Sequence, residues 1–201
     1  MATSDVLASV SRTLVARLTA GLSTLGPPGG PPPIAVLNDL AAEPSRDPPR
    51  VTLFLYDIVE EATVRNRNKT TERQPGGELL VRKQPLGLCL HYMLTAWGGD
   101  RETEQLMLGR VMQVLYDDAI LDGPELLGDL AGTPVELRVS LSTMKLDDRA
   151  RIWWAINLPY HLSINYEVRV VDIDATVETS SAPVQVRDLS MGVPLSIGLQ
   201  P

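Results

Sequence analysis

The first 25 residues carry apolar side chains at helical spacing. Val6, Val10, Leu14, Leu18 and Leu22 recur in steps of four, with Leu7 and Leu25 beside them and Arg12 and Arg17 off the stripe. This spacing predicts an amphipathic helix, N-capped by Ser4 and stopped at Gly26-Pro27. A different pattern follows. Residues 27–49 hold Pro27, Pro28, Pro31, Pro32, Pro33, Pro44, Pro48 and Pro49, with Gly29-Gly30 among them, so the stretch reads as an extended connector. One short apolar run inside it, Ile34-Ala35-Val36-Leu37, predicts an edge strand.

Two stronger strand signals come next. Val51, Leu53 and Leu55 alternate with Phe54, Tyr56 and Ile58, so both faces of 51–59 are apolar and a central, doubly covered strand is expected. In 86–97, Leu86, Leu88, Leu90, Tyr92, Leu94 and Ala96 form one face, and Cys89, His91, Met93, Thr95 and Trp97 form the other. Gly98-Gly99 ends that strand. Asp100 then caps a helix over 101–117, expected to bury Leu108, Val111, Met112 and Leu115. Val135, Leu137, Val139 and Leu141 predict a third strand, and Leu146, Ala150 and Trp153 a short helix ending near Pro159. The last strand places Ile164, Tyr166, Val168 and Val170 on one face. It then shifts phase to Val171 and Ile173, which predicts a β-bulge. Past about residue 176 the tail loses periodicity. Strands interleaved with helices point to one α+β domain over 1–175, a mixed or antiparallel sheet packed by helices, with 176–201 as a tail.

Charge changes the picture in one place. The 201-residue chain has a formal net charge of −7, but residues 64–83 carry six basic side chains (Arg65, Arg67, Lys69, Arg73, Arg82 and Lys83) against Glu72 and Glu78 alone. Little apolar periodicity runs through them, so a long exposed loop or ragged hairpin is expected. Residues 86–201 hold eight basic and sixteen acidic groups. A basic arm on an acidic body is complementary to copies of the same molecule, and head-to-side docking closes into a ring where the rotation permits. The same acidity argues against nucleic-acid binding, which needs clustered, uncompensated cations. No run approaches the roughly 18 apolar residues of a membrane span, and Met1-Ala2-Thr3-Ser4-Asp5 lacks the basic start of a signal peptide. No membrane insertion is expected, and synthesis and assembly are placed in the cytoplasm. A single cysteine, Cys89, rules out an internal disulfide and fits a reducing compartment.

Catalytic and ligand-binding patterns are weak. No phosphate loop or dinucleotide fingerprint follows a strand, and Gly21-Leu22-Ser23-Thr24-Leu25-Gly26 has the wrong spacing for a nucleophile elbow and closes a helix. Cys89 and His91 share a strand face and, with His161 and a carboxylate, could in principle hold zinc; packing of a small thiol and a hydrogen-bonded imidazole is the plainer reading. Asp172 and Asp174 share a face where the last strand leaves the core, which favours a solvated strand end over a cation site. Asp117-Asp118 and Asp147-Asp148 read as helix-end charges. No catalytic, cofactor or metal residue is therefore expected. Trp153-Trp154 is different, because only one of two adjacent helical residues can point straight into the core. Either both lie partly buried against the sheet, or Trp154 is an exposed indole at a subunit contact.

Several of these runs together resemble the cap, or tube-terminator, family of extracellular contractile injection systems, the phage-tail-like particles of the virulence-cassette and antifeeding type. They are Val51-Thr52-Leu53-Phe54-Leu55-Tyr56 followed by Arg65-Asn66, and Leu88-Cys89-Leu90-His91-Tyr92-Met93-Leu94-Thr95-Ala96. The helix from Glu104 to Gly109, the helix from Leu146 to Trp154, and Tyr166-Glu167-Val168-Arg169-Val170 complete the set, so that the resemblance spans roughly 4–175. It implies a phage-tail-terminator-like fold and a homohexameric ring on the end of the inner tube and sheath, where it halts polymerisation and couples the two. It carries no catalytic positions and no cofactor. On this reading the partners are further copies of the chain, the tube protein and the sheath protein. Arg65, Arg67, Lys69, Arg73, Arg82, Lys83 and Trp154 are then the expected contact residues, with the 176–201 tail. The rival readings are a monomeric adaptor or binding domain and, behind it, an uncharacterised hydrolase.

Overall fold

The computed structural model describes residues 5–26, 30–61, 70–73, 79–82, 86–173 and 178–181, the stretches 70–73, 79–82, 171–173 and 178–181 by their backbone. Its elements run α1 (Val6–Leu22), β1 (Ile34–Leu37), β2 (Arg50–Glu60), β3 (Thr70–Arg73), β4 (Leu79–Arg82), β5 (Leu86–Trp97), α2 (Arg101–Asp117), β6 (Ile120–Leu121), β7 (Leu137–Leu141), α3 (Leu146–Ala155), β8 (Ser163–Ile173) and β9 (Glu178–Ser181). Six strands form one sheet in the order β1-β2-β5-β8-β7-β6, and β3-β4-β9 form a second, smaller sheet. The edge strand β1 lies parallel to β2, while every other pair in the large sheet is antiparallel, so the fold is α+β with a mixed sheet.

β5 is the spine. Twelve residues long, it pairs with β2 from Trp97 to Leu88 and with β8 from Thr95 to Leu86, so its backbone is satisfied on both sides. Its alternation sorts two cores. Leu88, Leu90, Tyr92, Leu94 and Ala96 join Val6, Val10, Leu14, Leu18 and Leu22 of α1 and Met107, Leu108, Val111, Val114 and Leu115 of α2 in the main core. Met93 and Trp97 point the other way, into a smaller core closed by Leu40 and Trp153. Leu40 reaches it from the Pro-rich connector with φ of +54°, a left-handed geometry costly for a branched side chain. The Asn38 side chain holds that turn by accepting the Leu40 N–H at 2.6 Å.

The helices meet the sheet through specific polar ties. α1 crosses α2 closely at Gly21, where a Cβ would collide with the Val114 side chain. Arg110 of α2 donates to the Gly21 carbonyl at 3.0 Å, satisfying a carbonyl at the α1 end, and Arg17 pairs with Asp118 at the α2 end. The buried Ser9 and Thr13 accept the N–H groups of Asp129 and Leu127, at 3.1 and 3.0 Å, and so fasten the 127–129 loop to α1. Ser11 and Tyr92 share a buried hydroxyl–hydroxyl hydrogen bond of 2.8 Å between α1 and β5.

Several expectations are corrected by this arrangement. Helix α1 begins after Asp5 without a side-chain cap, and Ser4 lies outside the described residues. β2 is covered on both faces only over its first half, since its strand outruns the helices and residues 57–60 are exposed. A bulge at Tyr56 also moves Ile58 opposite Leu90, off the face it shares in the sequence pattern with Phe54 and Tyr56. Met112 is 39% exposed, because Met107 and Val114 complete the buried arc of α2. The tail, expected to be irregular, contributes β9 to the small sheet. The bulge expected near 170–171 appears as a register shift at Asp172, opposite Leu86 and Gly87.

Burial pushes the Tyr92 hydroxyl up to about 12, against the opposing effect of the Ser11 hydrogen bond. A raised folded value means that the unfolded chain ionises first, so this contribution is fully present below pH 10 and lost as pH rises towards 12. Tyr92→Phe should cost about 1–3 kcal/mol at neutral pH, by stranding the buried Ser11 hydroxyl. Urea titrations should show that loss, together with a shallower decline in stability between pH 10 and 12 than in the parent.

Candidate functional site

Three surfaces carry the side chains that could do work, beginning with α3. This ten-residue helix covers one end of the second sheet face and leaves the rest of that face open. Trp153 is its anchor. It is 1% exposed, meets Trp97 edge-on at 6.3 Å between ring centres, and donates its indole N–H to the Ser163 hydroxyl at 3.3 Å. Trp154 points outward and is 83% exposed, so the reading with both indoles partly buried is wrong. Leu146, Tyr160 and Leu162 of the same 146–162 segment are exposed as well. Exposed aromatic and aliphatic groups gathered on one segment are the usual composition of a contact core.

His161 follows directly and faces inward. Its ring stacks on Trp97 at 4.6 Å and 14°, with Nε2 3.1 Å from the Ala96 carbonyl and 3.2 Å from the Glu104 carboxylate. Nε2–H therefore donates to both oxygens. Glu104 is itself buried in the first turn of α2 and also receives Arg101 at 3.0 Å. Asp100 caps the same turn, accepting Thr103 N–H at 2.9 Å and its hydroxyl at 2.7 Å, and these bonds hold its carboxyl below the usual range. The histidine is a clasp between the segment after α3 and the start of α2. The zinc grouping fails on geometry, because Cys89 and His91 sit further down β5 than the Ala96 carbonyl that His161 contacts. Among the described residues no three metal-ligating side chains converge.

The open part of the second sheet face is polar. Glu167 accepts from Ser140 at 3.1 Å and from Arg169 at 3.1 Å, while Arg169 also reaches Glu61 at 3.4 Å. Cys89 lies buried beneath this cluster; burial first, then the Glu167 charge, raises its thiol above the ordinary range. Such a thiol stays protonated and unreactive. His91 leans on Tyr56, with ring centres 6.0 Å apart. The cluster is an ion-paired surface.

On the opposite face of the sheet, Met112 and Tyr116 of α2 and Leu141 of β7 border an apolar groove of about 480 Å³, with Tyr166 in its wall. No signal in the linear pattern announced it, since it arises only where α2 and β7 diverge. Of the expected contact residues, Arg65, Arg67, Lys69 and Lys83 lie outside the described residues. Arg73 and Arg82 fall at the ends of β3 and β4, whose antiparallel pairing matches the ragged-hairpin alternative.

Comparison with known proteins bears on this arrangement as a whole. A family model described as the Pvc16 N-terminal domain matches residues 9–187. Among solved structures, the chain is similar to the PVC sheath/tube terminator of an extracellular contractile injection system in its extended state. That similarity has a TM-score of 0.60 at 19% identity, over 98% of this chain and 67% of the other. It is also similar to the tube-terminating cap of the anti-feeding prophage, with a TM-score of 0.55 at 21% identity, over 98% of this chain and 64% of that one. The chain thus spans about two thirds of the length of each. No curated protein sequence matches.

The two tryptophans should separate stability from association. Trp153→Ala should cost about 3–5 kcal/mol in chemical denaturation, as expected for deleting a buried aromatic. Trp154→Ala should stay within about 0.5 kcal/mol of the parent. A large loss for the second variant would show that its indole is packed within the monomer.

Proposed function

Since the chain belongs to the Pvc16 N-terminal domain family, we propose that it is a structural cap, forming a ring on the end of the tube and sheath of a contractile injection system. The ring stops polymerisation and couples sheath to tube. One observation carries this reading: 98% of the chain overlays on proteins described as a sheath/tube terminator and a tube-terminating cap.

The physical character of the surface supports it. A terminator binds a repeating surface, and the described residues offer contact groups for that. Trp154 and its exposed neighbours supply apolar area that a subunit contact would desolvate. The basic run Arg65, Arg67, Lys69, Arg73, Arg82 and Lys83 supplies attraction to the acidic body of the next copy or to an acidic partner. On this reading the partners are the chain itself as a hexamer, the tube protein and the sheath protein. The finished ring travels with a particle assembled in the cytoplasm. Neither nucleic acid nor a membrane takes part; among the described residues no helix is long and apolar enough to cross a membrane.

Light scattering across a concentration and salt series tests the assembly. A ring should appear near six times the 21.9 kDa chain mass, alone or on tube ends, and should weaken as salt rises. Replacing Arg65, Arg67 and Lys69 with Glu should reduce association at least tenfold while leaving the urea midpoint unchanged. A chain that stays monomeric under all conditions and never caps a tube would leave the adaptor reading in its place.

A further inference from the structure

The apolar groove has an open strand edge beside it. β6 is only two residues long and pairs with Leu137 and Arg138; the last backbone bond on that side runs from the Val139 N–H to the Ala119 carbonyl, at 2.8 Å. On the inner side the Ser142 N–H still donates to Asn165 of β8. By the alternation of an antiparallel ladder, the N–H and C=O of Leu141 face the outer side, where no strand lies among the described residues. The same residue is 51% exposed, and Tyr116 across the groove is 84% exposed. The lining is neutral throughout, its polar members being Gln113 and Ser140. An occupant should therefore be an uncharged, aliphatic, extended segment.

The chain carries such a segment. Within the tail read above as aperiodic, 189–199 in fact alternate: Leu189, Met191, Val193, Leu195, Ile197 and Leu199 occupy every second position. Ser190, Gly192, Pro194, Ser196 and Gly198 stand between them, and no charged residue occurs over 189–201. Strict alternation of this kind specifies a strand with one apolar face. An added edge strand leaves every second backbone N–H facing solvent, and proline is tolerated at such a position.

Tyr166, in the groove wall, lies opposite Tyr92 and Ile173 opposite Leu86, so β8 carries the chain about 23 Å away from its own groove at roughly 3.3 Å per residue. A chain heading out of its own subunit in this direction meets a neighbour in the ring of the self-assembly reading, so a neighbour's groove is taken as the receiving one.

We propose that residues 189–199 of one copy add as a strand to the open edge of β7 in a neighbouring copy, seating aliphatic side chains in the Met112–Tyr116–Leu141 groove. The proposal rests on the self-assembly reading above. It also explains why Met112 and Leu141 are left uncovered in the single subunit.

Full-length chains test it in a Cys89→Ser background, with Leu141→Cys in one population and Val193→Cys, Leu195→Cys or Ile197→Cys in the other. Under mild oxidation, mixtures should yield a disulfide-linked pair containing one of each, strongest at one of the three tail positions. When both cysteines sit on one chain, linkage should still run mainly between chains. Purely intrachain linkage, linkage to a tube or sheath subunit alone, or none from a mixture that scatters as a ring would each overturn the proposal. A mixture that scatters as monomers at every concentration would instead remove the ring reading, and the strand exchange with it. As a second measurement, Leu195→Asp with Ile197→Asp should weaken self-association at least tenfold with no change in the unfolding midpoint; unchanged association would count against the exchange.

Discussion

The double pairing of β5 is the constraint on which everything else hangs. A strand hydrogen-bonded on both sides has no freedom of register, because a slip of one residue would turn its entire apolar set to the wrong face. Here one set belongs to α1 and α2 and the other to α3 and Trp153. Fixing β5 therefore fixes which helix lies on which face. It also determines that Gly98, Glu104 and His161 meet at the end of the strand, where the clasp between α2 and the post-α3 segment forms.

The two faces are unequal. Two 17-residue helices blanket one face, whereas a ten-residue helix covers only one end of the other. The uncovered remainder is closed by ion pairing among Arg169, Glu167 and Glu61, which keeps it wetted and soluble. Among the described residues, the exposed apolar groups include those along 146–162 and those bordering the groove between α2 and β7. Surface of this kind is a liability in a lone molecule and an asset in a ring.

Much of the frame was legible in the sequence because its signals are periodic. The α1 stripe, the alternation of 86–97 and the Asp100 cap each state a local structure that tertiary packing does not override. The outward indole of Trp154 was equally legible, as one of two possibilities, from adjacency in a helix. Other features are products of meeting surfaces. Ser9 and Thr13 read as neutral helix residues until the 127–129 loop is folded onto them. The bulge at Tyr56 carries no marker in a run of apolar residues, so Ile58 could not be assigned to its face. The groove exists only as the space between an α2 side chain and a β7 edge, and short β9 is recognisable only beside β4.

The long reach of the central pairing has a consequence for the order of events during synthesis. β2 stands ready when β5 emerges, but the second neighbour, β8, lies some seventy residues downstream. At about 5–20 residues per second, β8 follows roughly 4–15 s later. Until then the spine of the sheet has a bare edge, although α2 is complete some twenty residues after β5 and can already cover its apolar face. Contacts this distant in sequence also fold slowly, on the millisecond-to-second scale. A nascent chain is thus a sticky, strand-edged object for longer than a helical protein of its size would be.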